Sequence, residues 1–140
     1  MGLCPIQPMI DLPTGDLLSA LQMFFALAIG HALADFPLQG EYLALGKNRR
    51  YLENLGDPMR PPEIWISCMG AHCLIHAGAV WAVTGSALLG AVELVLHWTL
   101  DVSKCAGRTN YTQDQIMHLV CKALYASAGY AGWISLSHAA

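Results

Sequence analysis

The sequence predicts an all-α fold: a four-helix bundle integral to a membrane, formed by one domain over residues 1–140. Three observations predict it. Hydrophobic residues fill 55% of the chain against 12% charged, and mean hydropathy is +0.43, high for a soluble protein. Apolar runs of helical length recur four times, at about 17–36, 64–85, 86–102 and 114–137. Each run also carries polar residues four positions apart, the spacing of one helix face.

The lead-in from Met1 to Gly15 holds Pro5, Pro8 and Pro13 and lacks the basic, apolar and cleavage regions of a signal peptide, while Asp16 is placed to favour a helix start. Leu17 to Ala34 has no charged residue over 18 positions, and Ile64 to Gly85 has none over 22. The third run contains Glu93 and is shorter. The fourth carries Lys122 and small residues at Ala126, Ser127, Ala128, Gly129, Ala131 and Gly132, which allow close helix approach within a bundle or between protomers of a homo-oligomer. Thr84-Gly85-Ser86 separates the second and third runs and predicts a tight antiparallel hairpin. The polar insertion at 47–63 reads as a solvated loop or short interfacial helix, or as a lid or headgroup clamp.

Charge and cysteine usage narrow the function classes. A net charge of −3 with scattered Lys and Arg excludes binding of a nucleic-acid duplex. The five cysteines form no CxxC pair and read as packing residues. Lys47, Arg49, Arg50 and Arg60 fall between the first two runs, and Lys104 and Arg108 between the last two. Both basic loops lie on one side of a four-span chain, which the positive-inside rule makes cytoplasmic, with both termini outside.

The polar stripes carry the chemistry. They are His31 with Asp35 in 31-HALADFPLQ-39, His72 with His76 in 72-HCLIH-76, Glu93, His97 and Asp101 in 93-ELVLHWTLD-101, and Asp114 with His118 in 114-DQIMH-118. Four residues advance a helix by about 400° and about 6 Å, so each pair shares a face. Measured from the basic-loop side, Asp35, Asp101 and Asp114 lie at one level, His31, His72, His97 and His118 about one turn deeper, and Glu93 with His76 at the floor. Imidazoles and carboxylates on apolar helices are costly unless they face one another or a cation, so these stripes predict a shared metal site. A hydrogen-bonded network without metal is the bland alternative. Expected ligands are His31, Asp35, His72, His76, His97, Asp101 and His118, with Glu93 and Asp114 as ligand or base. His with Asp favours Zn²⁺, as one or two ions, and also suits Mn²⁺, Fe²⁺ or Ni²⁺. The Glu-x-x-His motif of di-iron bundles does not occur.

A metal in such a pocket promotes hydrolysis by acidifying water and polarising a phosphoryl or carbonyl oxygen. Lys104 and Arg108 lie near the expected mouth, where they can hold a phosphate; Lys104 can equally snorkel and pair with an acid. No Ser or Cys nucleophile stands beside a base, which disfavours a covalent acyl route.

The ordered set of four stripes, with Lys104, resembles the family catalogued as domain of unknown function 3307, small membrane proteins of bacteria and their phages. The resemblance covers roughly Asp16 to Ala126. Through that family the chain is more distantly similar to the LexA-regulated, membrane-bound metal-dependent hydrolases, and to helical zinc-dependent phospholipases C with His and Asp ligands. The resemblance implies a metal hydrolase in a bacterial inner membrane, and a site at the cytoplasmic lipid surface suits a lipid phosphate or another phosphoester. Two other classes stay open: a transporter or channel for metal ions or protons, and a non-catalytic membrane protein with a structural metal. Little polarity continues beyond Glu93 and His76 in the outer halves of the runs, which favours a blind pocket over a pore.

Overall fold

The computed structural model describes residues 15–133. The prolines of the lead-in, Cys4, His138 and the last positions of the fourth expected span lie outside them. Among the described residues the chain is all α-helical, with six helices and no strand: α1 (Leu17–Asp35), α2 (Gly40–Gly46), α3 (Arg49–Leu55), α4 (Ile64–Thr84), α5 (Ala87–Cys105) and α6 (Tyr111–Tyr130). The four long helices match the four apolar runs. Two short helices add to the expected four: α2 precedes the polar insertion at 47–63, and α3 lies within it, where a short helix is one of the expected forms.

Local chemistry sets each boundary. Asp16 caps α1 by accepting from the amides of Leu18 at 3.3 Å and Ser19 at 2.9 Å. Hydrogen bonds from the Ser19 hydroxyl and amide hold the Asp16 carboxyl below the usual carboxylate range. Asn48 caps α3, which ends at Gly56 in the left-handed region, φ 61°. Between α4 and α5, Gly85 takes φ 68° and donates to Trp81 O at 2.8 Å, after which Ser86 caps α5 through the Leu89 amide at 3.2 Å. The expected hairpin is therefore a two-residue turn. The last helix begins at Tyr111, three residues earlier than the apolar run suggests, because Asn110 and Gln113 form a reciprocal capping box.

The long helices form a ring in which α1 packs on α4 and α6, and α5 on the same two. Neighbours are antiparallel. The Gly15 amide donates to Tyr130 O, joining the start of α1 to the end of α6, while Asp35 at the end of α1 meets the first half of α4. The interior is divided along its length. An apolar half is built from Met23 and Leu27 of α1, Val80 and Val83 of α4, Leu89 of α5, and Tyr125 and Ala126 of α6. The other half holds the polar stripes. Of the small residues of α6, Ala126 is in the core and Gly129 is buried where a Cβ would stand 3.4 Å from Met23 Cε, whereas Ser127 is exposed.

The outer surface is apolar where a soluble bundle would be polar. Exposed side chains include Phe25 on α1 at 68%, Leu74 on α4, Leu88 on α5 at 72% and Leu124 on α6. By length and hydropathy two helices, α1 and α4, are long and apolar enough to cross a membrane. The last two long helices fall short by that measure; α5 includes Glu93, Asp101 and Lys104, and α6 includes Asp114 and Lys122.

At Gly90, α5 lies close against α4, for a Cβ there would stand 3.0 Å from Ala77 O and 3.2 Å from Trp81 Cβ. Gly90→Val must push the hairpin apart. Overpacking of this kind costs about 1–3 kcal/mol, so thermal unfolding in detergent should show a clear drop in Tm, whereas Gly78→Ala, where a Cβ meets nothing within 4 Å, should not.

Candidate metal centre

Helix direction brings the stripes together. Side chains lean toward the N-terminus of their helix. Asp35 and Asp101 sit at the ends of α1 and α5 and so lean inward, away from the basic loops, while the residues of α4 and α6 lean outward toward those loops. The level expected from Cα positions is thereby compressed. His76, expected on the floor beside Glu93, instead reaches Asp35 Oδ1 at 3.2 Å and stacks on His97 with centroids 3.6 Å apart. Glu93 leans the other way, toward α6.

Five imidazoles and three aspartates converge. Asp35 Oδ1 lies 3.4 Å from His72 Nε2, and Asp35 Oδ2 lies 3.6 Å from His31 Nε2 while accepting from Gln115 Nε2 at 2.7 Å. Asp101 Oδ2 is 3.3 Å from His72 Nε2 and 3.9 Å from His97 Nε2, and its Oδ1 is 3.5 Å from His118 Nε2. Asp114 Oδ1 is also 3.5 Å from His118 Nε2. Donor atoms around a tetrahedral ion at about 2.0–2.1 Å stand about 3.3 Å from one another. The separations here bracket that spacing. Three groups of donors lie within 4.8 Å of one another: Asp35, His72, His76 and His97; His31, His97 and His118; and Asp101, Asp114 and His118. No cysteine takes part in any of them.

The protons do not suffice for these contacts. Glu93 accepts from Lys122 Nζ at 2.5 Å and Tyr125 Oη at 2.9 Å, so its carboxylate is ionised and the contact at 3.1 Å from His97 Nδ1 is a donation by that ring nitrogen. In the neutral ring His97 Nε2 then carries a lone pair, and it faces His72 Nε2 at 3.1 Å. Three acceptors, His97 Nε2, Asp35 Oδ1 and Asp101 Oδ2, therefore surround His72 Nε2, which has at most one hydrogen. A cation there relieves the crowding, and His72, His97 and Asp35 belong with His76 to one donor group that could hold it. His118 Nε2 and Asp114 Oδ1, both buried, likewise have no hydrogen-bond partner. The donor set thus fits a divalent ion. His97 is the imidazole with an orienting carboxylate behind it; the Nδ1 atoms of His31, His72 and His76 meet no partner.

Every residue expected at the site is present. The seven expected ligands and Asp114 all belong to the three donor groups. Glu93 stands behind His97 with both oxygens engaged, and Lys104 donates to Asp114 Oδ2 at 2.7 Å. Arg108 is exposed and makes no side-chain contact with the cluster's carboxylates.

Three participants were not foreseen from the sequence. Lys47, counted there as a loop charge, is buried, and its Nζ donates to Asp101 Oδ2 at 2.5 Å and Gln39 Oε1 at 3.0 Å. Gly46 makes this placement feasible, since a Cβ there would come within 2.6 Å of Cys68 Sγ on α4. Lys122 is fully buried against Glu93, and Tyr125 completes the same carboxylate. A signal existed for the last two. Lys122 and Tyr125 follow His118 by four and seven residues and so continue its stripe.

A family model described as protein of unknown function (DUF3307) matches residues 23–137, a span that contains every donor of the centre. The chain belongs to the DUF3307 family. Comparison with curated proteins gives no match, and neither does comparison with solved structures.

The buried Glu93–Lys122 pair yields a stability prediction for this family member. Lys122→Met leaves Glu93 charged with one partner fewer, and breaking a buried pair in this way costs about 3–5 kcal/mol. Unfolding in detergent should show a large loss for Lys122→Met that the double change Lys122→Met with Glu93→Gln largely restores; equal losses in both would place the cost in packing.

Proposed function

We propose that the chain is a four-span protein of the bacterial inner membrane whose buried centre holds divalent metal, zinc being favoured, and hydrolyses a phosphoester such as a lipid phosphate at the cytoplasmic face. The observation that carries this reading is the convergence at His72, where three acceptors crowd a nitrogen that has one proton at most. The apolar outer faces of α5 and α6 support two further spans beside α1 and α4, since charges turned inward lower hydropathy without meeting lipid. Arg49 and Arg50 lie in the insertion beside the end of α5, where Arg50 donates to Ala106 O at 2.9 Å, and this supports a cytoplasmic mouth and periplasmic termini.

The donors that would hold the ion are the three aspartates and five histidines, and a divalent ion there supplies acidified water and a polarised phosphoryl oxygen. The chain's own residues do the rest. Glu93, its charge offset by Lys122, fixes the His97 ring so that Nε2 points into the centre; it is a positioning residue and has no oxygen left to take a proton. Asp114 keeps Oδ1 free. Lys47 and Lys104 bring positive charge to the aspartates on the loop side, where a phosphate would enter.

Charge balance favours an anionic substrate. Four carboxylates, Asp35, Glu93, Asp101 and Asp114, face three lysines, Lys47, Lys104 and Lys122, so the centre with neutral imidazoles is one charge negative. One divalent ion reverses that sign, and a second leaves a surplus that a phosphate dianion offsets. Transport is the weaker reading, because the apolar half formed by Met23, Leu27, Val80, Val83 and Leu89 closes the bundle beyond Glu93.

Elemental analysis of detergent-purified protein, prepared without chelator, should find at least one equivalent of a transition metal and a chelator-sensitive phosphoesterase activity, both greatly reduced in His97→Ala. Less than a tenth of an equivalent of any such metal would sink the site; full metal with no turnover on phosphate esters would leave a structural metal and sink the hydrolase.

A further inference from the structure

Two of the three donor groups share no residue, and they are unlike: Asp35, His72, His76 and His97 form a set of four, the number that a closed tetrahedral shell needs, whereas Asp101, Asp114 and His118 form a set of three; the third group, His31, His97 and His118, overlaps both. Closed shells characterise structural ions, and three protein donors with one position left characterise reactive ones. A second asymmetry follows the first. The carboxylates of the set of three each accept from a lysine, Asp101 from Lys47 and Asp114 from Lys104, while Asp35 in the set of four is held by Gln115. In the three-donor set His118 Nε2 and Asp114 Oδ1 stand 3.5 Å apart without a hydrogen bond, and in the four-donor set the Nδ1 atoms of His72 and His76 are likewise unpartnered.

Two surface clefts differ in the same sense. One, of about 280 Å³, exposes Asp35 beside Gln39 and Glu41 and is acidic. The other, of about 160 Å³, is lined by Lys47, Arg49 and Arg50, of which Lys47 is paired with Asp101 and Arg49 with Glu53 while Arg50 has no carboxylate partner among the described residues, and by Trp65, Met69 and Val102. An anion is repelled at the first and attracted at the second. The basic cleft is also apolar on one wall, which suits a phosphate carried on a hydrocarbon chain.

We infer that the centre holds two divalent ions in unlike half-sites, a closed one at Asp35, His72, His76 and His97 and an open one at Asp101, Asp114 and His118, and that the open half-site takes the phosphate of an amphiphilic ester past Lys47. Asp101 joins the halves, because its Oδ2 faces His72 of the closed set and its Oδ1 faces His118 of the open set. The division rests on the metal reading proposed above and is separable from hydrolysis.

Cobalt titration of the full chain in detergent, followed by metal analysis and visible absorption, tests it with inorganic phosphate as the probe. Wild type should take two equivalents. His76→Ala should keep the phosphate-responsive equivalent, and Asp114→Ala with His118→Ala should keep one that phosphate does not perturb; the conservative Asp114→Asn should weaken only the responsive ion, by tenfold or more. Lys47→Met should retain both equivalents and bind phosphate at least tenfold more weakly. Saturation at one equivalent, a phosphate response that survives loss of Asp114 and His118, or unchanged phosphate affinity in Lys47→Met would overturn the division or its route. No bound cobalt would overturn the metal reading itself, and two equivalents without phosphoesterase turnover would leave the division standing while hydrolysis fails.

Discussion

Everything in this bundle depends on one constraint: three carboxylates, Glu93, Asp101 and Asp114, and two lysines, Lys47 and Lys122, are buried, and Asp35 and Lys104 partly so, in a chain whose exterior is apolar. An unmatched charge in such surroundings costs several kcal/mol, so each must be placed by a partner on another helix. Glu93 is matched by Lys122, Asp101 by Lys47 and Asp114 by Lys104. These pairs tie α5 to α6 and the α2–α3 insertion to α5, and they do so at fixed points. Apolar packing among Met23, Leu27, Val80 and Leu89 tolerates small slips of register, whereas an ion pair at 2.5 Å does not. Registry in the polar half is therefore set electrostatically.

The pairs also divide labour by depth. Lys122 is completely buried beneath the histidines and can act only through Glu93, whose remaining contact orients His97. Lys104 is half-buried at the loop side and lies 5.2 Å from the Tyr111 ring centroid, so it holds Asp114 from the edge. Lys47 comes from outside the ring, delivered by a helix end that seats on Cys68 through Gly46. The insertion that looks dispensable in a four-helix plan thus completes the interior.

Much of the centre was legible in the sequence because helices have a fixed period. The four-residue spacing of His31 with Asp35, His72 with His76, Glu93 with His97 and Asp101, and Asp114 with His118 identified all eight donors before their contacts were known. Two features were not legible in that way. Depth read from Cα positions leaves out the lean of side chains toward helix N-termini, which puts His76 two levels from the Asp35 that it reaches. Lys47 was read as a solvated charge because nothing local distinguishes a loop lysine that faces water from one that a helix end turns inward. Its burial depends on Gly46 meeting α4, a contact between positions 22 residues apart. Likewise, α2 and α3 are too short to show a period, and their caps at Asn48 and Gly56 were the only local signals.

The same arrangement bears against the transport alternative to the proposed function. A conduit for ions needs exchangeable polar groups at successive depths, each weak enough to release what it binds. Here polarity ends at Glu93, whose oxygens are already taken by Lys122, Tyr125 and His97, and the next layer is Val80, Val83 and Leu89. A buried lysine at that boundary repels a cation that has come as far as the histidines. The electrostatic profile therefore supports the proposed reading, in which a divalent ion would rest at the level of the aspartates as a resident cofactor rather than pass as a cargo.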